Sequence, residues 1–343
     1  MEVNFNSTKI DYGLIEKNKI TFKKNVKAKP IFHYTSIGGL EGILTSKKLR
    51  FTNIKYMNDK DEIVAGLDSI AKACDASDEE RERLLSAYIN HGTQTFVCCF
   101  SLEEDSLPMW NYYTKEINNQ GFNIEFDDKK LVESILKSNK CLDGCDFAFG
   151  IVDYSKDNDS EYSQTITNEV LSSMNLSISK LFLAVAKGTF LNRPTNIDKS
   201  AIQEWEEKIS DTEKKFKLSN LPIYFFNGET CSFDKNPYGD YLYFIKRDCF
   251  KQEREFRIVI SVPDYELPRL KQEKVYKFRV SNGVLVPYLE LNFSGDVIKG
   301  ITISPTVKSD LVEQSIQDFT TYCDLSIKDY STFIRKSNVP VRF

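Results

Sequence analysis

His33 is the residue of this chain whose type and position most directly indicate ligand chemistry. The apolar run Ile31-Phe32-His33-Tyr34 predicts a short strand, and Thr35-Ser36 supply favourable N-cap residues for a following helix. A histidine at a strand end beside a helix N-terminus can donate or accept a hydrogen bond toward a ligand. The alternative is a structural histidine that bonds a backbone carbonyl. Since His91 is the only other histidine, a His-rich metal site is excluded and multi-histidine catalysis is disfavoured.

A serine and a pair of aromatic residues form a second candidate group. Ser101 follows an apolar run that predicts a buried strand, and it either contacts a ligand or serves as a cap or turn residue. Trp110 and Tyr113 are three residues apart in a predicted short helix, so one helix face would carry both rings. Such rings either stack on a planar base or nicotinamide, or pack in the core. Tyr112 points elsewhere and is the alternative exposed ring.

A charged segment that leads into an apolar strand forms the third group. If this segment is extended, Glu253, Glu255 and Arg257 share one face because side chains alternate along a strand. Two carboxylates and a guanidinium are costly to bury unless they are paired. The segment is therefore either an exposed edge strand guarded by charge or one wall of a polar cleft.

The overall composition narrows the class of protein. Among 343 residues, 46 Lys and Arg stand against 50 Asp and Glu, so the net charge of -4 gives no general drive toward nucleic acid. The absence of a long apolar stretch and of an apolar signal-peptide core predicts a cytoplasmic protein that does not associate with membranes. Eight cysteines are ordinary usage and do not indicate a disulfide scaffold. Asn58, Asp59 and Glu62 leave a metal-dependent alternative open.

The order of predicted elements is strands, then helices, then strands, which favours one α+β domain over two consecutive domains. We expect an N-terminal arm over residues 1–28 and a single domain over 29–343. The predicted core spans 29–127 and 240–343, and a mainly helical insertion occupies about 128–239. The predicted core strands are 31–34, 49–51, 95–100, 121–126, 256–260, 275–280, 284–290 and 298–303.

Taken in order, these segments resemble a bacterial family carried as domain of unknown function 2971 (DUF2971). The resemblance extends from about residue 30 to the C-terminus. The matching residues are Phe32-His33-Tyr34-Thr35, Leu40, Ile43-Leu44, Leu49-Arg50-Phe51, Asn58-Asp59, Glu62, Cys99-Phe100-Ser101, Trp110, Tyr113, Gly121, Glu253, Glu255, Arg257 and Ser337-Asn338-Val339-Pro340-Val341-Arg342.

More distantly, the chain is similar to ADP-ribosyltransferases of the His-Tyr-Glu kind, including their DNA-targeting toxin branch. This resemblance implies a split mixed β-sheet core, NAD as a substrate and no metal. It implies that His33 bonds the adenosine-side ribose of NAD and that Tyr113, or alternatively Tyr112, stacks on nicotinamide. Glu253 or Glu255 would stabilise the oxocarbenium-like transition state at the nicotinamide ribose. The remaining NAD-binding residues that it implies are Tyr34, Thr35, Arg50, Ser101, Trp110 and Arg257.

The resemblance implies an NAD-dependent ADP-ribosyltransferase-like enzyme that acts as a bacterial toxin or a phage-defence effector. Its small-molecule partner would be a nucleotide, and its acceptor would be a protein or a nucleic acid. An alternative is a non-catalytic sensor module that uses the same polar face to bind a nucleotide or a partner. A third alternative is a metal-dependent nuclease.

Overall fold

The computed structural model describes residues 12–16, 19–21, 30–57, 78, 82, 93–114, 120–155, 243 and 245–340. The chain divides into two compact units. One unit holds the main sheet and comprises Asp11–Met57, Gln94–Val152 and Phe250–Phe343. The other unit comprises Met1–Ile10, Asn58–Thr93 and Asp153–Cys249.

Twelve of the described strands form one mixed, open sheet, and β8 and β9 form a separate parallel pair. The strands are β1 Tyr12–Glu16, β2 Lys19–Thr21, β3 Pro30–Ser36, β4 Lys48–Asn53, β5 Thr93–Ser101, β6 Gly121–Asp127, β7 Asp146–Ile151, β8 Asp153–Ser155, β9 Ile245–Arg247, β10 Glu255–Pro263, β11 Tyr276–Ser281, β12 Val284–Asn292, β13 Ile298–Ile303 and β14 Ile334–Lys336.

The described helices are short and lie between these strands. They are α1 Ile37–Ser46, α2 Leu107–Tyr113, α3 Asp128–Ser138, α4 Leu267–Gln272, α5 Val312–Tyr322 and α6 Tyr330–Phe333. Short 3₁₀ segments cover Ile54–Tyr56, Lys140–Leu142, Asp248–Glu253, Asp264–Glu266 and Gly295–Val297.

Helix α1 shows how local sequence fixes an element. The Ser36 side chain accepts a hydrogen bond from the Gly39 amide (3.2 Å), which satisfies one of the unpaired amides of the first turn. Lys47 ends the helix in the left-handed conformation (φ 52°). Between these ends, Leu40 and Leu44 recur at helical spacing and are buried. Burial of such a side chain stabilises the fold by roughly 1.5 to 3 kcal/mol.

The sheet branches at β5. Its main strand order is β14-β13-β6-β3-β5-β10-β7-β1-β2, and β5 also pairs with β4, which leads to β12 and then β11. β13 and β14 are parallel, whereas β3 and β6 are antiparallel. The described register joins β3 to β5 through a single pair, Phe32 and Ser101, which we call the β3–β5 junction.

The two faces of the sheet around this junction carry separate apolar clusters. The larger one, the main core, includes Ile31, Phe100, Phe126 and Phe256 together with side chains of α1, α3 and α5. The smaller one, the aromatic cluster, consists of Phe32, Tyr34, Met109 and Trp110, with Val339 packed against it. Because side chains alternate along β3, its two apolar sets supply opposite faces.

All eight predicted core strands are confirmed within a few residues at each end. Within the predicted, mainly helical insertion, residues 146–151 form β7, which pairs with β10 in the main sheet. Parts of the predicted arm, β1 and β2, also join this sheet through β7. Residues 156–239 of the predicted insertion lie outside the described residues. The segment that contains His91 also lies outside them, apart from isolated positions.

Candidate functional site

His33 lies beside the β3–β5 junction on the main-core side. Its Nδ1 is 3.2 Å from the carbonyl oxygen of Cys99, and its ring centroid is 5.5 Å from that of Phe100. Burial lowers the pKa of His33, and the hydrogen bond to Cys99 opposes this effect only partly. A neutral ring that donates from Nδ1 to the carbonyl carries its acceptor lone pair on Nε2. His33 therefore has the backbone contact expected of a structural histidine, and its Nε2 is suited to accept a hydrogen bond.

Tyr34 is part of the aromatic cluster. Its ring meets that of Trp110 edge to face, with 4.6 Å between centroids. The Tyr34 hydroxyl donates to the Glu103 carbonyl (2.8 Å) and accepts from the Ser106 amide (3.1 Å). Burial raises the pKa of this phenol, although the Ser106 amide bond opposes the shift. Tyr34 thus anchors the loop between β5 and α2 and is occupied within the protein.

Trp110 and Tyr113 occupy different environments despite their helical spacing. The Trp110 side chain is buried, and its Nε1 donates to Asp105 Oδ1 (2.7 Å). Tyr113 is 38% exposed and Tyr112 is 56% exposed. The core-packing alternative therefore applies to Trp110, which is buried and bonded within the protein. Tyr113 and Tyr112 are the rings of α2 that solvent reaches.

Ser101 has a positioning role. It is fully buried, its hydroxyl donates to the Glu253 carbonyl (2.8 Å), and it accepts from the Glu103 amide (3.1 Å). The main chain of Glu253 is consequently attached to the strand residue that pairs with Phe32 at the β3–β5 junction. The turn-residue alternative for Ser101 agrees with these bonds better than direct ligand contact does.

The predicted common face of Glu253, Glu255 and Arg257 is wrong for Glu253. Glu253 ends a 3₁₀ segment, and Arg254 follows in the left-handed region (φ 41°), so the strand begins only at Glu255. Alternation cannot be extended across a residue in that conformation. Glu253 is buried all the same, with 6% of its surface exposed.

Glu255 and Arg257 form a buried ion pair. Arg257 Nε and Nη2 donate to the two carboxylate oxygens of Glu255 at 3.0 and 2.9 Å, and the side chains are 0% and 5% exposed for Arg257 and Glu255. Their strand, β10, lies between β5 and β7. The interpretation as an exposed edge strand is therefore wrong, and bidentate pairing offsets the desolvation of both charges.

His33 and Glu255 project from opposite faces of the sheet. The His33 ring contacts Phe100, whose ring lies 6.4 Å from that of Phe256 in the main core. Glu255 and Arg257 flank Phe256 in β10, so strand alternation directs them away from that core. Ser101 is paired with Phe32, so its hydroxyl holds the Glu253 carbonyl on the Phe32 face of the β3–β5 junction. The structure thus brings neither Ser101 nor Glu255 to the face of the His33 ring.

Thr35 and Arg50 complete the predicted set. Thr35 Oγ1 packs against Gly39, where an added Cβ would come within 1.9 Å. Arg50 lies on β4, with its guanidinium 5.3 Å from the Tyr288 ring centre and 3.8 Å from Glu290 Oε1. Arg50 is therefore associated with β12 and not with the junction.

Sequence reasoning missed the role of Asp105. Its Oδ1 accepts from Trp110 Nε1 and from the Ser337 hydroxyl (2.6 Å), and its Oδ2 accepts from the Asn338 amide (2.7 Å). Val339 then packs on the aromatic cluster. The C-terminal segment that starts at Ser337 is thus fastened over Trp110 by one carboxylate. The appearance of Trp110 and Ser337–Arg342 in the same resemblance was the available signal.

Comparisons with known proteins support the coarser part of the resemblance. A family model described as "Protein of unknown function (DUF2971)" matches residues 109–258. This segment contains Trp110, Tyr113, Glu253, Glu255 and Arg257, and it begins after His33. No curated protein and no solved structure shows a significant match.

Two searches of the structure bear on cofactors and membranes. Within the described part of the chain, no group of three or more His, Cys, Asp or Glu side chains could hold a metal ion. Asn58, Asp59 and Glu62 lie outside that part, so the metal-dependent alternative stays a prediction. None of the described helices is long and apolar enough to span a bilayer.

Proposed function

We propose that the chain is an NAD-dependent, ADP-ribosyltransferase-like enzyme in which Glu253 is the catalytic carboxylate. One observation carries the proposal. Ser101 holds the Glu253 carbonyl at 2.8 Å and pairs with Phe32, the chain neighbour of His33. Two of the three residues that the His-Tyr-Glu resemblance requires, His33 and Glu253, are thus connected through their main chains to one strand junction.

Each residue has a distinct role in this proposal. Neutral His33 accepts a hydrogen bond at Nε2 from a hydroxyl of the adenosine-side ribose. The exposed ring of Tyr113 stacks on nicotinamide. The Glu253 carboxylate faces the positive charge that develops on the nicotinamide ribose.

The proposed reaction is a substitution at the anomeric carbon of that ribose. The bond from this carbon to the nicotinamide nitrogen breaks, and nicotinamide leaves with the electron pair. A nucleophilic atom of the acceptor forms the new bond to the same carbon and releases its proton to water. The acceptor is a protein or a nucleic acid.

Glu255 is the weaker candidate for the carboxylate. Both of its oxygens are occupied by the Arg257 guanidinium, and the pair is closed off from solvent. Exchanging this partner for substrate would break a buried bidentate ion pair, which costs about 3 to 5 kcal/mol. Glu253 is therefore the carboxylate to test first.

The test is incubation with labelled NAD and separate preparations of cell extract, DNA and RNA. Glu253→Gln should lower label transfer or NAD loss by about 100-fold, the order seen when one transition-state partner is removed. Glu41→Gln, an exposed change on α1, is the matched control and should leave the rate unchanged. Thermal unfolding of both variants separates a lost reaction from a lost fold.

Two outcomes would contradict the proposal. One is that the wild-type protein neither consumes NAD nor transfers label to any of the three acceptor classes. The other is that Glu253→Gln, folded normally, reacts at the wild-type rate.

A non-catalytic nucleotide sensor is the second candidate function. It is favoured by the internal engagement of Tyr34, Ser101 and Trp110, whose polar atoms all bond other parts of the protein. Calorimetric titration with NAD and ADP-ribose distinguishes the two functions. Saturable binding without turnover would indicate the sensor, whereas binding followed by release of nicotinamide would indicate the enzyme.

A further inference from the structure

The hairpin formed by β11 and β12 has an open backbone edge. Its turn, Asn282-Gly283, has φ values of 49° and 76°, as two-residue hairpin turns with positive φ require. Among the described strands β11 pairs with β12 and with no other. An edge strand presents N–H and C=O groups that can pair with a further strand.

The register shows which backbone groups point outward. The Glu290 amide donates to the Val275 carbonyl (3.0 Å), and Tyr276 is paired with Leu289. In an antiparallel ladder, residues that exchange hydrogen bonds with the partner strand alternate with residues that do not. The groups of odd-numbered residues in β11 therefore bond β12, while those of Phe278 and Val280 point away from it.

One face of the hairpin is apolar and exposed. Phe278 is 55% exposed, Val280 is 75% exposed, and Leu285, the cross-strand partner of Val280, is 63% exposed. Tyr276 lies on the same face, and its ring contacts Phe96 of the main core. The exposed apolar side chains therefore lie on the same side of the sheet as the main core, past the point where other described residues cover that side. An exposed apolar patch of this kind is typical of an interaction surface.

The opposite face of the hairpin is basic. Lys277 and Arg279 alternate with Phe278 and Val280 along β11. Behind them on the same face, Lys48 and Arg50 approach Glu290, which also pairs with Lys277. Three cations thus share one carboxylate, and Arg279 adds a fourth positive charge at the open edge.

We propose that β11 is a docking edge for an extended segment of another protein in which acidic and apolar side chains alternate. Such a segment would add a strand beside β11 through the outward groups of Phe278 and Val280. Its apolar side chains would cover Phe278 and Val280, and its carboxylates would face Lys277 and Arg279. The proposal is independent of the NAD chemistry, because Arg50 is the only residue it shares with the predicted NAD site.

Charge favours this partner over a second copy of the chain. An antiparallel β11–β11 pairing centred on Phe278 would place Lys277 of one copy directly opposite Arg279 of the other, in both halves of the pairing. Like charges directly opposite each other destabilise a strand pair. An acidic strand converts the same positions into attractive pairs.

The experiment uses two ten-residue probes labelled with fluorescein. One alternates Glu with Val and Ile, and the other has Lys at every Glu position. Fluorescence anisotropy with the full chain should show the acidic probe binding at least about tenfold more tightly than the basic probe, a difference of about 1.4 kcal/mol. Binding of the acidic probe should weaken as salt is raised.

Two variants separate backbone pairing from simple charge attraction. Val280→Pro removes an outward N–H without removing a bond to β12, so it should weaken binding of the acidic probe about tenfold, whereas the control Val280→Thr should leave it within about twofold. Arg279→Glu should reduce the preference for the acidic probe or reverse it. Amide exchange should be fast at Phe278 and Val280 in the free protein and become slow with the probe bound.

Four outcomes would contradict the proposed strand addition at β11. Equal binding of both probes, or an unchanged affinity in a folded Val280→Pro variant, would overturn the proposal. So would concentration-dependent dimerisation that Val280→Pro abolishes, since this would identify a second copy as the occupant. The proposal would also fail if a single-stranded oligonucleotide bound more tightly than the acidic probe, and if Arg279→Glu but not Val280→Pro weakened this binding. That result would assign the basic face to nucleic acid.

Discussion

The buried Glu255–Arg257 pair yields the sharpest stability prediction. Glu255→Ala removes two hydrogen-bond acceptors from a guanidinium that is 0% exposed, so the buried charge loses its bidentate carboxylate partner. Two charge-assisted hydrogen bonds of about 1.5 to 3 kcal/mol each are lost. This sum agrees with the loss of about 3 to 5 kcal/mol for breaking one partner of a buried ion pair. We expect the free energy of unfolding to fall by about that amount.

The assay is urea unfolding followed by circular dichroism, with the double variant Glu255→Leu/Arg257→Met measured alongside. Replacing both charged side chains with apolar groups also removes the buried charge of Arg257, so the double variant should recover at least about half of the loss. Glu133→Ala, which breaks the exposed Glu133–Lys137 pair on α3, should cost no more than about 0.5 kcal/mol.

Two results would refute this reasoning. A loss below about 1 kcal/mol in Glu255→Ala would mean that the pair is not desolvated as its burial indicates. A double variant less stable than Glu255→Ala would mean that the carboxylate was not the main partner of the guanidinium.

Two further predictions concern Gly121 and His33. A Cβ at Gly121 would come within 2.7 Å of the Thr35 carbonyl oxygen, so Gly121→Ala should cost about 1 to 3 kcal/mol in urea unfolding. Gly42→Ala, in α1 with nothing within 4 Å, should instead stabilise by about 0.5 to 1 kcal/mol, and equal effects at both sites would contradict the argument. Burial lowers the pKa of His33 in the folded protein, so near and below the ordinary histidine pKa of about 6.5 the unfolded chain binds more protons than the folded one. The free energy of unfolding should therefore fall as the pH drops through that pKa. His33→Asn should flatten this dependence between about pH 5 and 7, and an unchanged slope would show that His33 does not titrate differently in the two states.

Strand positions were predictable because each strand satisfies a local rule. The apolar run that became β5 and the alternating segment that became β6 carry their periodicity in the side chains themselves. Ser36 was predictable as a cap for the same reason, since its bond to Gly39 spans three residues. None of these features depends on a distant part of the chain.

The position of Glu253 was not predictable from the same rules. The alternation that joined it to Glu255 assumes continuous strand, and the left-handed Arg254 interrupts it. Arg254 is neither Gly nor Asn, so the sequence offers no conventional sign of that conformation. Its amide lies 3.3 Å from the Lys251 carbonyl, and its own carbonyl accepts from the Leu102 amide (2.8 Å), a contact across 152 positions.

The sequence by itself determined the residue types near the proposed site, most of the sheet and the amphipathic faces of its helices, because propensity and periodicity act over a few residues. Only the tertiary structure decided which charges are buried and which rings are exposed. Arg257 is buried and paired with Glu255, although the segment around it has the charged composition of a protein surface. Trp110 is buried, whereas Tyr113 in the same helix is exposed. Burial depends on what the strands and the C-terminal segment place over a side chain, and those neighbours, such as Asp105 and Ser337, lie far apart in the sequence.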